Sequence, residues 1–173
     1  MRTVHDLNWL NALPTETARQ ELLKCCGATS WAESLEQHRP FASLAELLRE
    51  AKEVWSSMDK SDWLEAFRSH PKIGEKKAEA AVATQSQQWS ADEQRGVQQA
   101  SQETGEKLAA LNRAYEQKFG FIFIVCATGK STDEILALLE QRLGNERAIE
   151  LRNAAAEQAK ITELRLRKLV EPA

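Results

Sequence analysis

Residues 121–127, Phe-Ile-Phe-Ile-Val-Cys-Ala, are the one stretch of this 173-residue chain that reads as a buried extended segment, and the sequence offers it no sheet to join. Its short length, its aromatic and β-branched residues and the bounding Gly120 and Gly129 all favour extended backbone over helix. The rest of the chain repeats its apolar residues at helical spacing, so the expected fold class is all-α, with one strand-like run that must be held by something other than a β-ladder. The N–H and C=O groups of that run need partners, and a ligand with amide-like edges can provide them.

Capping and breaking signals divide the remainder into about eight helices. Thr15 reads as the N-cap of a helix through Cys26 that Gly27 closes, and Trp31, Leu35 and His38 share a stripe on the next, which Arg39-Pro40-Phe41 breaks. Ser43-Leu44-Ala45-Glu46 spells a capping box ahead of Leu44, Leu47, Leu48, Ala51 and Val54 or Trp55 at helical spacing. Ser61 opens a short helix with Trp63, Leu64 and Phe67 inward, ending at His70-Pro71. The alanine-rich run from Lys76 to Thr84 reads as helix, and Gln85 to Trp89 as a polar connection. Two helical segments follow from Ser90 to about Lys118. Ser131-Thr132-Asp133-Glu134 caps a helix to Leu143, and after Gly144-Asn145 a last helix runs from about Glu146 to Val170. With no repeat, low-complexity tract or linker, residues 1–173 are expected to form a single helical domain.

Two runs carry chemistry. In Ser69-His70-Pro71-Lys72-Ile73-Gly74 the proline pushes His70 out of helical conformation, so the imidazole is presented at a helix end. In Ser90-Ala91-Asp92-Glu93-Gln94 a hydroxyl, a carboxylate and an amide fall at i, i+3 and i+4 and share one helix face. Each has a plainer explanation: a histidine at a helix terminus can serve the last carbonyls, and Ser90-x-x-Glu93 is by itself a capping box. Arg165 lies between Ile161 and Leu169 on one helical stripe, as does Lys168, and long basic side chains can snorkel from such positions.

Composition narrows the function classes. A content of 42% hydrophobic and 28% charged residues with a net charge of −3 is that of an ordinary globular protein, with no electrostatic reason to bind nucleic acid or an anionic membrane. No apolar run approaches the roughly 20 residues that span a bilayer, and the N-terminus has no apolar signal core, so a cytoplasmic location is expected. Cys25 and Cys26 are adjacent and Cys126 stands alone, which reads as reduced thiols. His5, His38 and His70 lie far apart, so no zinc-type ligand spacing is written locally.

Five groups of residues then fall in one register: Trp31 with Arg39-Pro40-Phe41; His70-Pro71-x-Ile73-Gly74; Ser90-x-x-Glu93-Gln94-x-Gly96; Leu111-Asn112-x-x-Tyr115-x-x-Lys118-Phe119-Gly120-Phe121-x-Phe123; and Leu164-Arg165-Leu166. In order and spacing the chain resembles the OHCU decarboxylases, which act on 2-oxo-4-hydroxy-4-carboxy-5-ureidoimidazoline, the last intermediate between urate and allantoin. The resemblance extends from about Asp6 to Val170. It departs at Ile122, where many members of that family carry proline.

The resemblance implies His70 as the catalytic histidine and Pro71, Ser90, Glu93 and Gln94 as residues lining the ligand site. It also implies a segment from Phe123 through Ile124, Val125 and Cys126 to Ala127 whose backbone meets the ligand, and Arg165 in the same pocket. An all-helical fold, no cofactor or metal, and a homodimer are implied too. The chemistry suits these residue types. Loss of CO2 leaves an electron pair that spreads into the adjacent ring C=N, and a proton must then reach one face to give S-allantoin. Such a reaction calls for a positioned proton source and fixed dipoles. A histidine with an ordinary pKa near 6.5 exchanges protons around neutrality, and a neighbouring carboxylate can orient it, so Glu93 either sets the tautomer of His70 or binds the hydroxyl side of the substrate. The competing reading is a helical interaction module that keeps the scaffold without the activity.

Overall fold

The computed structural model describes residues 5–75, 78–97 and 100–171. Among these it contains nine helices and no strand, with β-pairing confined to an isolated antiparallel bridge between Pro71 and Ala78, so the all-α expectation holds. The backbone groups into two compact units: one is the chain up to Ala66 together with the stretch from Ala159 onward, the other Phe67–Gln158.

The first unit holds α1 (Leu7–Ala12), α2 (Thr15–Cys25), α3 (Thr29–Glu36), α4 (Leu44–Ser57), most of α5 (Lys60–Phe67) and the C-terminal half of α9 (Arg147–Val170). Helix α2 packs on α3 and α3 on α4. The fully buried Trp31 donates its indole N–H to the Ala51 carbonyl (3.1 Å), joining α3 to α4 through a polar atom that would otherwise be stranded in the core. Ser43 caps α4 as expected, accepting from the Glu46 N–H (3.1 Å), while the Glu46 carboxylate reaches back to the N–H of Ala42 (2.6 Å), one residue beyond the usual capping box.

The Arg39-Pro40-Phe41 break is an anchor. The Arg39 guanidinium donates to the carbonyls of Leu10 and Leu13 (2.8 Å each) and of Asn11 (3.3 Å), which α1 leaves unsatisfied at its C-terminus, and pairs with Glu36 (2.8 Å). The Asn11 amide closes the same corner on both the N–H and the C=O of Phe41. Some expectations need correcting here. Thr15 is the first residue of α2, not its cap, and the cap position falls on Pro14. His38 lies beyond the end of α3 and is exposed, its ring Nδ1–H donating to the Ser34 carbonyl (2.8 Å). In α5 the buried positions are Ala66 and Phe67, with Trp63 and Leu64 half-buried.

The second unit holds α6 (Thr84–Glu93), α7 (Gln102–Phe119), α8 (Thr132–Leu143) and the N-terminal half of α9, with α7 packed on α8. Ser101 and Ser131 cap α7 and α8, and Gly120 ends α7 in the left-handed region (φ 81°) that glycine enters without strain.

The largest departure from the expected elements is α6. Lys76 and Lys77 lie outside the described residues, and 78–83 is not helical: Pro71 pairs with Ala78, and the Ala80 N–H donates to the Arg68 carbonyl (3.1 Å). The stretch read as a polar connection is helical instead, because its buried residues Ser86, Trp89, Ser90 and Glu93 follow helical spacing in mostly polar letters. Ser90 therefore lies in the last turns of a helix and is not an N-cap. The capping-box explanation of Ser90 and Glu93 is overturned.

The run expected to be extended is neither helical nor part of a sheet. Among the described residues, 121–127 has no strand partner, and side chains take the role of a ladder. Arg142 donates to the Ile124 carbonyl (2.6 Å), the Cys126 N–H donates to Glu157 (3.2 Å), and Lys130 donates to the Cys126 carbonyl (2.8 Å). Arg142 is itself fixed by the fully buried Glu150, which also accepts from Tyr115 (2.7 Å), Asn145 (2.9 Å) and Asn153 (3.1 Å). Phe121 and Phe123 stand edge-on to Tyr115 at 5.9 and 5.3 Å between ring centres, and the Arg142 guanidinium lies 4.5 Å from the centre of the Phe123 ring.

Candidate active site

The His70-Pro71-Lys72-Ile73-Gly74 run is a turn whose polar groups are held from two helices. His70 follows α5 at a distance of three residues, its N–H donating to the Phe67 carbonyl (3.2 Å). Gly74 sits at φ 91°, and its N–H donates to the side-chain oxygen of Gln94 (2.8 Å) at the end of α6. The Asn112 amide of α7 donates to the Ile73 carbonyl (2.9 Å). Because its oxygen is committed to Gly74, Gln94 has two N–H donors left to offer.

Beside this turn lies a cavity of about 940 Å³. Pro71, Ile73 and Gly74 form one part of its lining, Ser90 and Gln94 of α6 another, and Leu108 and Asn112 of α7 a third. That volume suits a small molecule, and the mixture of apolar wall with a few amides and hydroxyls is typical of such sites. Of the expected residues, the structure thus places Pro71, Ser90 and Gln94 on one cavity. His70, Glu93 and Phe123–Ala127 are buried in the same unit but are not among its lining residues.

A second set of contacts joins these buried residues. The His70 ring Nε2 meets the side-chain oxygen of Gln158 at 2.6 Å, and the adjacent Glu157 accepts from the Cys126 N–H. Two consecutive residues of α9 therefore hold the imidazole and the extended segment. Burial pushes the Cys126 thiol up; the Thr128 backbone N–H and Lys130 oppose this, and the carboxylates of Glu157 and Glu93 add to it. Glu93 is accordingly an electrostatic neighbour of Cys126. Arg165 belongs to the first unit, where it is buried, donates to the Lys24 carbonyl (3.3 Å) and lies beside Cys25 and Cys26. Among the described residues no group of three or more His, Cys, Asp or Glu side chains is placed to hold a metal ion.

A family model for OHCU decarboxylase matches residues 11–167. The chain belongs to the OHCU decarboxylase family. It is 36% identical over 155 residues to a uric acid degradation bifunctional protein of Arabidopsis thaliana, covering 89% of this chain but 48% of that protein, so it spans about half of that relative's length. Against the 2-oxo-4-hydroxy-4-carboxy-5-ureidoimidazoline decarboxylase of Haloferax volcanii it is 32% identical over 135 residues, covering 78% of this chain and 77% of the relative. A crystal structure of OHCU decarboxylase in the presence of (S)-allantoin superposes with a TM-score of 0.76 at 35% identity, over 87% of this chain and 97% of that one.

For this OHCU decarboxylase family member, sequence reasoning singled out neither Gln158, which meets the His70 ring, nor Glu157, which accepts from the Cys126 N–H. Gln158 carried a signal: it stands among Leu151, Ala154, Ala155, Ile161 and Thr162 on the buried stripe of α9, and a glutamine at a core position must find a hydrogen-bond partner. Which partner it finds is not written locally.

Proposed function

We propose that this chain decarboxylates 2-oxo-4-hydroxy-4-carboxy-5-ureidoimidazoline to S-allantoin, the last step from urate to allantoin, as a carboxy-lyase that needs no cofactor. The observation that carries this reading is a buried imidazole held by an amide, next in sequence to a turn that builds the wall of a small-molecule cavity together with Ser90, Gln94 and Asn112. Family membership supplies the reaction.

In this reading the substrate carboxylate leaves as CO2, its electron pair passes into the neighbouring C=N, and His70 delivers the proton to one face of the ring. Glu93 orients the reacting end through its charge, as a carboxylate does beside a general acid or base. The Gln94 N–H donors and the backbone of Phe123, Ile124, Val125, Cys126 and Ala127 hold the ureido and ring amide edges. Fixed dipoles of this kind need no rearrangement as charge develops. Pro71 and Ser90 shape the pocket, and Arg165 faces the polar groups of the substrate on the strength of the family register alone.

The remaining features belong to the same proposal: a homodimer in the cytoplasm with no nucleic-acid or membrane partner, and one functional domain, which the family model supports by running across both compact units. A net charge of −3, three buried thiols, and the absence among the described residues of any helix long and apolar enough to cross a membrane are compatible with it. The test generates the substrate freshly from urate and follows optical activity, since spontaneous decay gives racemic product. Accelerated loss with S-allantoin of one hand, unchanged by a chelator, is expected. Racemic allantoin at the uncatalysed rate would refute the activity and favour an interaction module.

A further inference from the structure

We propose that Gln158 is the positioning residue for His70: its side-chain carbonyl holds the imidazole in the tautomer protonated on Nε2, so the proton that His70 gains and loses is carried on Nδ1. The 2.6 Å contact between Gln158 Oε1 and His70 Nε2 is the basis, and both partners are buried, Gln158 completely. An amide oxygen only accepts, so the ring nitrogen facing it must be the donor. In a neutral imidazole that choice fixes the role of the other nitrogen.

Three further features make the contact suitable for holding one ring geometry. The His70 backbone is fixed on both sides, by its N–H bond to the Phe67 carbonyl and by Pro71, so the ring is presented to Gln158 from a defined position. Gln158 sits well inside the 24-residue α9, not on a loop, and its neighbour Glu157 anchors Cys126 in the extended segment. Glutamine is also neutral, so it orients the ring without the charge by which a carboxylate partner would favour the imidazolium. The two residues stand 88 positions apart in the chain. The catalytic consequence rests on the proposed function above, whereas the tautomer does not.

The experiment labels histidine with nitrogen-15 and reads the ring nitrogens of the substrate-free protein by NMR at a pH where the imidazole is neutral. The chain has three histidines, so His5 and His38 variants complete the assignment. His70 is expected as the Nε2–H tautomer in the unsubstituted protein. Gln158→Leu should give a mixture of tautomers and lower kcat by about 10–100-fold, as loss of an orienting partner typically does, with KM nearly unchanged. Gln158→Glu keeps an acceptor at the same place and should retain Nε2–H and recover much of kcat. An Nδ1–H tautomer in the unsubstituted protein, or a Gln158→Leu protein with unaltered tautomer and kcat, would overturn the proposal. If Gln158→Leu does not fold, Gln158→Glu decides, since loss of the Nε2–H tautomer there refutes the assignment. A protein with the expected tautomer but no turnover of the ureidoimidazoline would sink the proposed function and leave Gln158 as the residue that orients His70.

Discussion

Glu150→Gln offers a demanding test of how the extended segment is held. Glu150 is fully buried and accepts hydrogen bonds from Tyr115, Asn145 and Asn153 as well as pairing with Arg142, which in turn donates to the Ile124 carbonyl. The substitution keeps the shape but removes the charge, leaving a buried guanidinium without its anion and turning one acceptor into a donor that faces other donors. Breaking a buried pair from one side costs about 3–5 kcal/mol, against about 0–1 kcal/mol for an exposed pair such as Lys107–Glu140. For a chain of this size that corresponds to a fall in Tm of roughly 6–20 °C at pH 7.

The same variant carries a pH signature. Burial by itself pushes the Glu150 carboxyl up, but the hydrogen bonds from Asn145, Tyr115 and Asn153 and the charge of Arg142 outweigh it and bring the carboxyl below its ordinary 4.5. Since the folded value is the lower one, the unfolded chain takes up the proton first as pH falls. The stabilisation is therefore complete above about 4.5 and is lost as the pH drops through the folded value. Glu150→Gln lacks that contribution, so the gap in Tm between the two proteins should narrow in acid, as followed by circular dichroism melts from pH 7 to pH 3. A Tm gap below roughly 2–4 °C at pH 7, which is what the roughly 1 kcal/mol of an exposed pair would give, or one that stays constant into acid, would refute a cooperative buried network at this position.

Gly96→Ala should destabilise the protein by about 1–3 kcal/mol and reduce turnover, because the new Cβ would stand 2.4 Å from the Lys130 carbonyl oxygen, a backbone atom with no freedom to withdraw; thermal melts and steady-state rates check both. His70→Ala should lower turnover by at least roughly a hundredfold while leaving the helical signal intact, and Glu93→Gln should lower it by roughly tenfold with the fold unchanged; if either keeps full activity, its assigned role is wrong. Burial pushes the Cys26 thiol up to about 12 and that of Cys25 higher still, so neither should react with a thiol reagent at pH 8 in the native protein, and both should do so on unfolding.

The sequence alone determined the features whose causes are local. Helix α8 begins and ends where Ser131 and Gly144 place it, α7 stops at Gly120, and 121–127 is buried outside any helix, because capping, left-handed glycine and β-branched runs act within a few residues. The shared face of Ser90, Glu93 and Gln94 was legible for the same reason: all three are buried around one helix end. Tertiary structure decided the rest. Helix α6 begins at Thr84 because packing buries Ser86, Trp89, Ser90 and Glu93, a stripe that hydrophobic periodicity overlooks, while the alanine-rich run before it spends its backbone hydrogen bonds elsewhere. The sequence marked His70 as a candidate and the backbone of 121–127 as in need of partners, but named none for either. Only the packed chain pairs His70 with Gln158 and Ile124 with Arg142, since hydrogen-bond satisfaction across 88 or 18 residues depends on where helices dock and not on the letters nearby.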